Sequence, residues 1–227
     1  PYPANKSVLE NFYRIIFKIQ EFLRPAHLKK IIIDHRLNFN QSMIEIRDNC
    51  YISGVFTNQK YFIDIKKIIL KEITPKLPLG DNALKMIFKI HNSNSVSIHI
   101  RRGDYLKYSH KFAILSEDYY QGAINVIKKQ EINPTFFVFS DDIEYVRMNY
   151  NEIFGGNAIY VSGESIADHE ELWLMSQCKH NIMANSTFSW WGAWLNQNLN
   201  KLVVAPKQYR ADNKDLLGFI PHEWTLI

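Results

Sequence analysis

Residues 95–105 read Ser95-Val96-Ser97-Ile98-His99-Ile100-Arg101-Arg102-Gly103-Asp104-Tyr105, six residues that suit a strand, broken at once by two arginines, a glycine and an aspartate. A strand that stops in a polar turn and gives way to helical periodicity opens a βα unit. Downstream the same alternation recurs. Strands are expected over 135–139, 158–161, 181–184 and 202–205, with helices over 116–129, 143–150, 168–177 and 188–195 between them. A helix over 81–90 precedes the first strand. Linkers this short imply right-handed crossovers, hence an α/β fold with a doubly wound parallel sheet covered on both faces.

Upstream the pattern is less regular. Ser7-Val8-Leu9-Glu10 has capping-box spacing, and Val8, Phe12, Ile15, Ile16, Ile19 and Phe22 follow at helical period until Pro25. Short strands are expected over 31–33 and 51–55, then a helix over 59–73 with Phe62, Ile65, Ile69 and Ile73 on one face. The stretch Thr74-Pro75-Lys76-Leu77-Pro78-Leu79-Gly80 breaks both periodicities, so a domain boundary is placed between 79 and 80.

Composition narrows the classes. The 227 residues carry 27 Lys+Arg against 23 Asp+Glu, a formal charge of +4. That is too little for nucleic-acid binding by phosphate neutralisation and suits one small anionic ligand. At 46% apolar and 22% charged, the chain is no disordered polyelectrolyte. Cys50 and Cys178 stand far apart in sequence and read as free thiols. No apolar run approaches the 18 or so residues of a membrane span. Pro1-Tyr2-Pro3 is neither a signal peptide nor a tag, and the chain is expected to begin inside a longer protein.

In a doubly wound sheet, ligands bind beyond the carboxyl ends of the strands, where loops and helix amino termini converge. Three strand ends carry dense polar clusters: His99 with Arg101 and Arg102, then Ser140 and Asp141, then Asn185-Ser186-Thr187-Phe188. The arginines offer planar forks of donors suited to a diphosphate, and Gly103 permits close backbone approach. Ser186 and Thr187 open a helix whose free N–H groups and dipole favour an anion, although plain N-capping, which any helix can use, is the simpler account of these residues taken alone. Asp141 can accept the paired N1–H and amino donors of a guanine. The indoles of Trp190, Trp191 and Trp194 are expected as packing groups between helix and sheet. Neither a P-loop nor a G-x-G-x-x-G turn occurs, and His169-Glu170-Glu171-Leu172-Trp173 has Trp where a zinc-protease helix needs its second His. With no D-x-D triplet, a metal-independent reaction is expected.

Three blocks carry a resemblance: Ser97-Ile98-His99-Ile100-Arg101-Arg102-Gly103-Asp104-Tyr105, Phe139-Ser140-Asp141-Asp142, and Asn185-Ser186-Thr187-Phe188-Ser189-Trp190-Trp191-Gly192-Ala193-Trp194-Leu195. In this order they resemble the motifs of the α-1,2-fucosyltransferases, glycosyltransferase family 11. The resemblance implies a GT-B enzyme of two facing Rossmann-like halves. The family's opening strand and G-G-L-G-N-Q turn do not precede Ser7, so residues 1–79 are expected to be an incomplete acceptor-side half and 80–227 the GDP-fucose-binding half. It further implies inverting transfer of fucose from GDP-β-L-fucose to the 2-hydroxyl of a terminal β-galactoside. GDP-fucose is then a substrate, a galactose-terminated oligosaccharide the partner, and neither a cofactor nor nucleic acid is expected. Arg101 would stabilise the leaving diphosphate, supported by Arg102, with Asn185, Ser186, Thr187 and Phe188 around the same phosphates. His99, Ser140 and Asp141 would hold the nucleoside. A fucosyltransferase of another linkage, or a catalytically silent nucleotide- or glycan-binding module, is the alternative. Richness in Lys, Ile and Asn, with no anchor visible, points to a bacterial cytoplasm, at most peripheral to the inner membrane.

Overall fold

The computed structural model describes residues 15–17, 19, 20, 22–25, 31–34, 38–46, 48–54, 56–76, 78–212 and 218–227. The capping box at Ser7 lies outside them. Two compact units result, Pro1–Tyr61 and Phe62–Ile227.

In the first unit, β1 (Ile31–Asp34) and β2 (Tyr51–Gly54) form a two-stranded parallel sheet. Asn40 donates from Nδ2 to Asp34 Oδ2 at 2.6 Å, and Tyr61 packs its ring on Phe39 and Phe56. Helical residues within 15–23 agree with the period of Ile15, Ile19 and Phe22.

The 3-10 turn Gln59–Tyr61 ends the first unit, and the second begins with the 3-10 turn Ile63–Ile65, followed by α1 (Lys66–Glu72). The continuous helix expected over 59–73 is broken because Phe62 leaves helical geometry, with φ −144° and ψ 7°, and turns its ring onto Trp190, Trp191 and Trp194. That packing joins α1 to the second unit. The Pro75–Gly80 stretch therefore connects α1 to α2 (Asp81–His91) within this unit.

Then come β3 (Ser95–Ile100), α3 (Gly103–Lys107), α4 (Glu117–Lys128), β4 (Thr135–Ser140), α5 (Ile143–Asn149), β5 (Ala158–Tyr160), α6 (Asp168–Gln177), β6 (His180–Ile182), α7 (Thr187–Leu195), β7 (Val203–Ala205) and β8 (Thr225–Leu226). All six strands are parallel in the order β5-β4-β3-β6-β7-β8. Numbered within this unit the order is 3-2-1-4-5-6, that of a doubly wound mononucleotide-binding sheet, and the order reverses between β3 and β6. The α/β parallel expectation holds here.

Period-2 alternation sorts the central strands onto two cores. Val96, Ile98, Phe136 and Val138 pack on Tyr120, Ile124 and Ile127 of α4, whereas Phe137 and Phe139 pack on Met86 and Ile90 of α2 and Leu174 of α6. A third cluster holds Trp190 and Trp194, which are 1% and 2% exposed, with Phe219 and Trp224. Trp190 donates to Phe219 O at 2.9 Å, so the indoles pack as expected. Both cysteines are free thiols.

Candidate functional site

A cleft of about 550 Å³ opens at the carboxyl ends of β3, β4, β5 and β6. This is where the strand order reverses, so helices diverge and leave a crevice. From the β3 end come His99, Arg101 and Tyr105; from β4, Ser140 and Asp141; from the amino end of α7, Ser186, Thr187 and Phe188. Three blocks far apart in sequence thus meet in one cavity.

Arg101 is held from two sides. Its Nε donates to Asp104 Oδ1 at 3.0 Å and lies 3.2 Å from Asp141 Oδ2, and Nη2 lies 2.8 Å from Asp104 Oδ1. These contacts, through Nε and Nη2, fix the orientation of the guanidinium. Asp141 Oδ1 accepts the Arg102 backbone N–H at 2.9 Å. The carboxylate read from sequence as a guanine acceptor therefore has a partner on each oxygen, and its geometry is that of a clamp on the Arg101–Arg102 turn. Gly103 makes this clamp possible. A Cβ there would stand 2.7 Å from Asp141 Oδ2.

Two expected residues are not brought to the cleft wall. Arg102 turns away, its guanidinium carbon 3.4 Å from the Tyr145 ring centre and its Nε 3.4 Å from Asp142. Asn185 is buried, donating from Nδ2 to Ala113 O at 2.8 Å and Tyr209 O at 2.9 Å. It fixes two loops behind the site, and Tyr105 donates its hydroxyl to Asn185 O at 2.9 Å.

Ser186 is the N-cap of α7, accepting the Phe188 N–H at 3.3 Å. The capping reading and the anion reading coincide, because the same cap leaves Thr187 exposed at the helix mouth. Ser140 Oγ accepts the Asp142 N–H, so Asp142 sits at the N-cap position of α5 without a side-chain cap bond.

His99 is 4% exposed, its ring 5.7 Å from Phe188. Burial, then the Arg101 guanidinium, lower its pKa to about 4 against the opposing pull of Asp141, so the imidazole is neutral at pH 7. Its Nδ1 has no hydrogen-bond partner.

The fourth wall was not anticipated. Ser162, Gly163, Ile166, Asp168 and Glu171 follow β5 and line the same cleft. A relay links them: Ser140 N–H donates to Ser162 Oγ at 3.0 Å, and Ser162 donates to Glu171 Oε2 at 2.9 Å. Burial pushes the Glu171 carboxyl up to about 7, opposed by the Ser162 bond and reinforced by Asp168. The signal was present, since Ser162-Gly163 ends a strand and Glu171 lies in the first turn of the next helix. In one dimension Glu171 reads only as part of the incomplete zinc-protease pattern His169-Glu170-Glu171-Leu172-Trp173.

The sequence matches the family model described as Glycosyl transferase family 11 over residues 6–225. The chain belongs to glycosyl transferase family 11. Similar proteins agree with the assignment. An alpha-1,2-colitosyltransferase of Escherichia coli is 37% identical over 77% of this chain and 61% of its own length. The O-antigen biosynthesis glycosyltransferase WbnK of Escherichia coli is 38% identical over 89% of this chain and 70% of its own. Galactoside alpha-(1,2)-fucosyltransferase 1 of Ateles belzebuth is 27% identical over 77% and 51%. The chain thus spans about half to seven-tenths of these relatives. Family 11 membership places the three blocks in a glycosyltransferase family, and two of these three relatives are named for an α-1,2 linkage. Among the described residues no helix is long and apolar enough to cross a membrane.

Proposed function

We propose that this chain is the donor-binding part of a GT-B glycosyltransferase that moves fucose from GDP-β-L-fucose to the 2-hydroxyl of a terminal β-galactoside, with inversion and without a metal. The observation that carries the reading is the convergence of Arg101 and the amino end of α7 in one cleft at the reversal of the strand order. In the reaction the bond from anomeric carbon to diphosphate oxygen breaks, its electron pair leaving with GDP. The acceptor oxygen bonds to the opposite face of that carbon and releases its proton. Negative charge grows on the diphosphate. Arg101, already oriented by Asp104 and Asp141, and the free N–H groups of α7 meet it with little reorganisation.

The base-recognition role moves from Asp141 to Glu171 in this reading. Glu171 Oε2 takes the Ser162 hydroxyl, and Oε1 is left to accept from the donor edge of guanine. His99 Nδ1, buried without a partner, offers the nucleoside one further hydrogen bond.

The similarity to an alpha-1,2-colitosyltransferase favours a second donor, GDP-colitose, whose sugar lacks one ring hydroxyl of fucose. The test is turnover of GDP-fucose and GDP-colitose against a panel of β-galactosides by the intact protein, with NMR of the product. Transfer to O2 with an inverted anomeric centre supports the reading. Another linkage, or binding without turnover, replaces it. Excess EDTA after metal stripping is expected to leave the rate unchanged, and a loss restored by Mn²⁺ removes the metal-free mechanism.

A further inference from the structure

Because every strand of the Phe62–Ile227 sheet is parallel, the strand amino ends and the carboxyl ends of the intervening helices gather at the end of the sheet opposite the cleft. That end carries four protruding apolar side chains: Phe88 near the end of α2, 70% exposed; Ile132 in the turn before β4, 80%; Met148 in the last turn of α5, 75%; and Leu199 before β7, 98%. Among the described residues, no other large apolar side chain of this unit is more than 60% exposed. The turns form one rim. Asn94 Nδ2 donates to Ile132 O at 2.7 Å, Lys179 Nζ donates to Asn94 Oδ1 at 2.7 Å, and Asn198 Nδ2 donates to Lys179 O at 3.3 Å.

Isolated exposed apolar residues are ordinary on any surface. Here the four most exposed share one end, and they are interleaved with the exposed lysines Lys89, Lys128 and Lys129. Lysines complement the dipole at helix carboxyl ends, which explains their presence but not that of Phe88, Ile132, Met148 and Leu199. The nearby acids are Glu131, 3.0 Å from His180, and Glu152. Lys89, Lys128 and Lys129 make no ion pair among the described residues, and apolar points set among such lysines match an anionic lipid headgroup layer, where the apolar tips enter the interface and the lysines stay with the phosphates. A second copy of the same surface is disfavoured, because it would set lysine against lysine.

We propose that this rim is a membrane-docking surface for anionic lipid. Docking there leaves the cleft, at the other end of the strands, open to water and to a glycan extending from the bilayer.

The test is co-sedimentation of the full chain with vesicles of phosphatidylcholine alone and of phosphatidylcholine mixed with phosphatidylglycerol. The wild type should pellet with the anionic vesicles only. Ile132→Ser with Leu199→Ser should lower the partition at least about tenfold, and Lys128→Glu with Lys129→Glu several-fold. All four side chains are exposed, and an unchanged melting curve by circular dichroism certifies the fold without reference to nucleotide or turnover. Equal partition of wild type and the double serine variant overturns the proposal, as does a wild type that stays in solution. So does a lipid-free dimer that the serine pair converts to monomer, which would make the rim a contact between copies.

Discussion

At the level of single residues, the two arginines of one motif have separate employments. Arg101 faces the cleft between two carboxylates, whereas Arg102 lies on Tyr145. Arg101→Ala should therefore reduce transfer roughly 100-fold to 1000-fold, the range for losing a preorganised charge stabiliser, and Arg102→Ala only a few-fold. Initial rates at saturating donor check this, and near-normal turnover by Arg101→Ala contradicts it. Glu171 gives a pH signature. Its carboxyl ionises near 7, so below that pH the cleft presents an O–H where guanine needs an acceptor. GDP affinity should rise with pH through about 7 in the wild type, and Glu171→Gln should lose that component while keeping the part due to the phosphate's own ionisation, as titration calorimetry across pH will read. Stability runs the other way. The folded group binds its proton more tightly than an ordinary glutamate carboxyl at 4.5, so its contribution is full below 4.5 and is lost as pH rises through about 7. Thermal melts of wild type and Glu171→Gln should converge at low pH and separate above 7, the wild type being the less stable there. The sequence displayed Arg101, Ser186 and Asp141 because strand-end position is legible in one dimension. Which oxygen of Asp141 is taken, and that Asn185 faces inward, depend on loops at Ala113 and Tyr209 that only the fold brings near.

Among elements, α6 and α7 define the width of the cleft, since one carries Glu171 and the other the Ser186 cap. They touch through Gly192, where a Cβ would stand 2.8 Å from Met175 Cβ. Backbone-proximal atoms cannot swing aside, so Gly192→Ala should cost about 1–3 kcal/mol in overpacking, offset by up to about 1 kcal/mol of helix propensity. The melting temperature should fall by a few degrees, and GDP affinity with it as Glu171 and α7 separate; an unchanged Tm would show that the pair relaxes freely. Element order was readable because apolar period switches cleanly between 2 and 3.6, and β3 and α6 match their expected spans residue for residue. The short α3 escaped because Gly103–Lys107 spans barely one turn, too little for a periodic signal, and β8 because two residues cannot alternate. Phe62 illustrates a third case, in which aromatic packing on three indoles overrides a sound helical period.

For the whole molecule, a formal charge of +4 conceals a division of labour between the two ends of one parallel sheet. One end gathers a fixed guanidinium, a helix mouth and a half-buried carboxyl, the groups proposed to meet a nucleotide; the other gathers lysines and apolar tips. The parallel topology was legible from the alternation of elements, but the division between units was not, because Pro75 and Pro78 mark the strongest break in local pattern while Phe62 decides where packing changes hands. Guanine recognition within the cleft is the claim on which the functional account turns. A carboxyl built to accept from a base's donor edge is left unsatisfied by adenine, so the penalty exceeds the loss of contact. Titration calorimetry of GDP, ADP and UDP into the chain above pH 7 is the measurement: GDP should bind at least about tenfold tighter than either competitor, with most of that preference lost in Glu171→Ala, and equal affinities for the three nucleotides in the wild type would overturn guanine recognition.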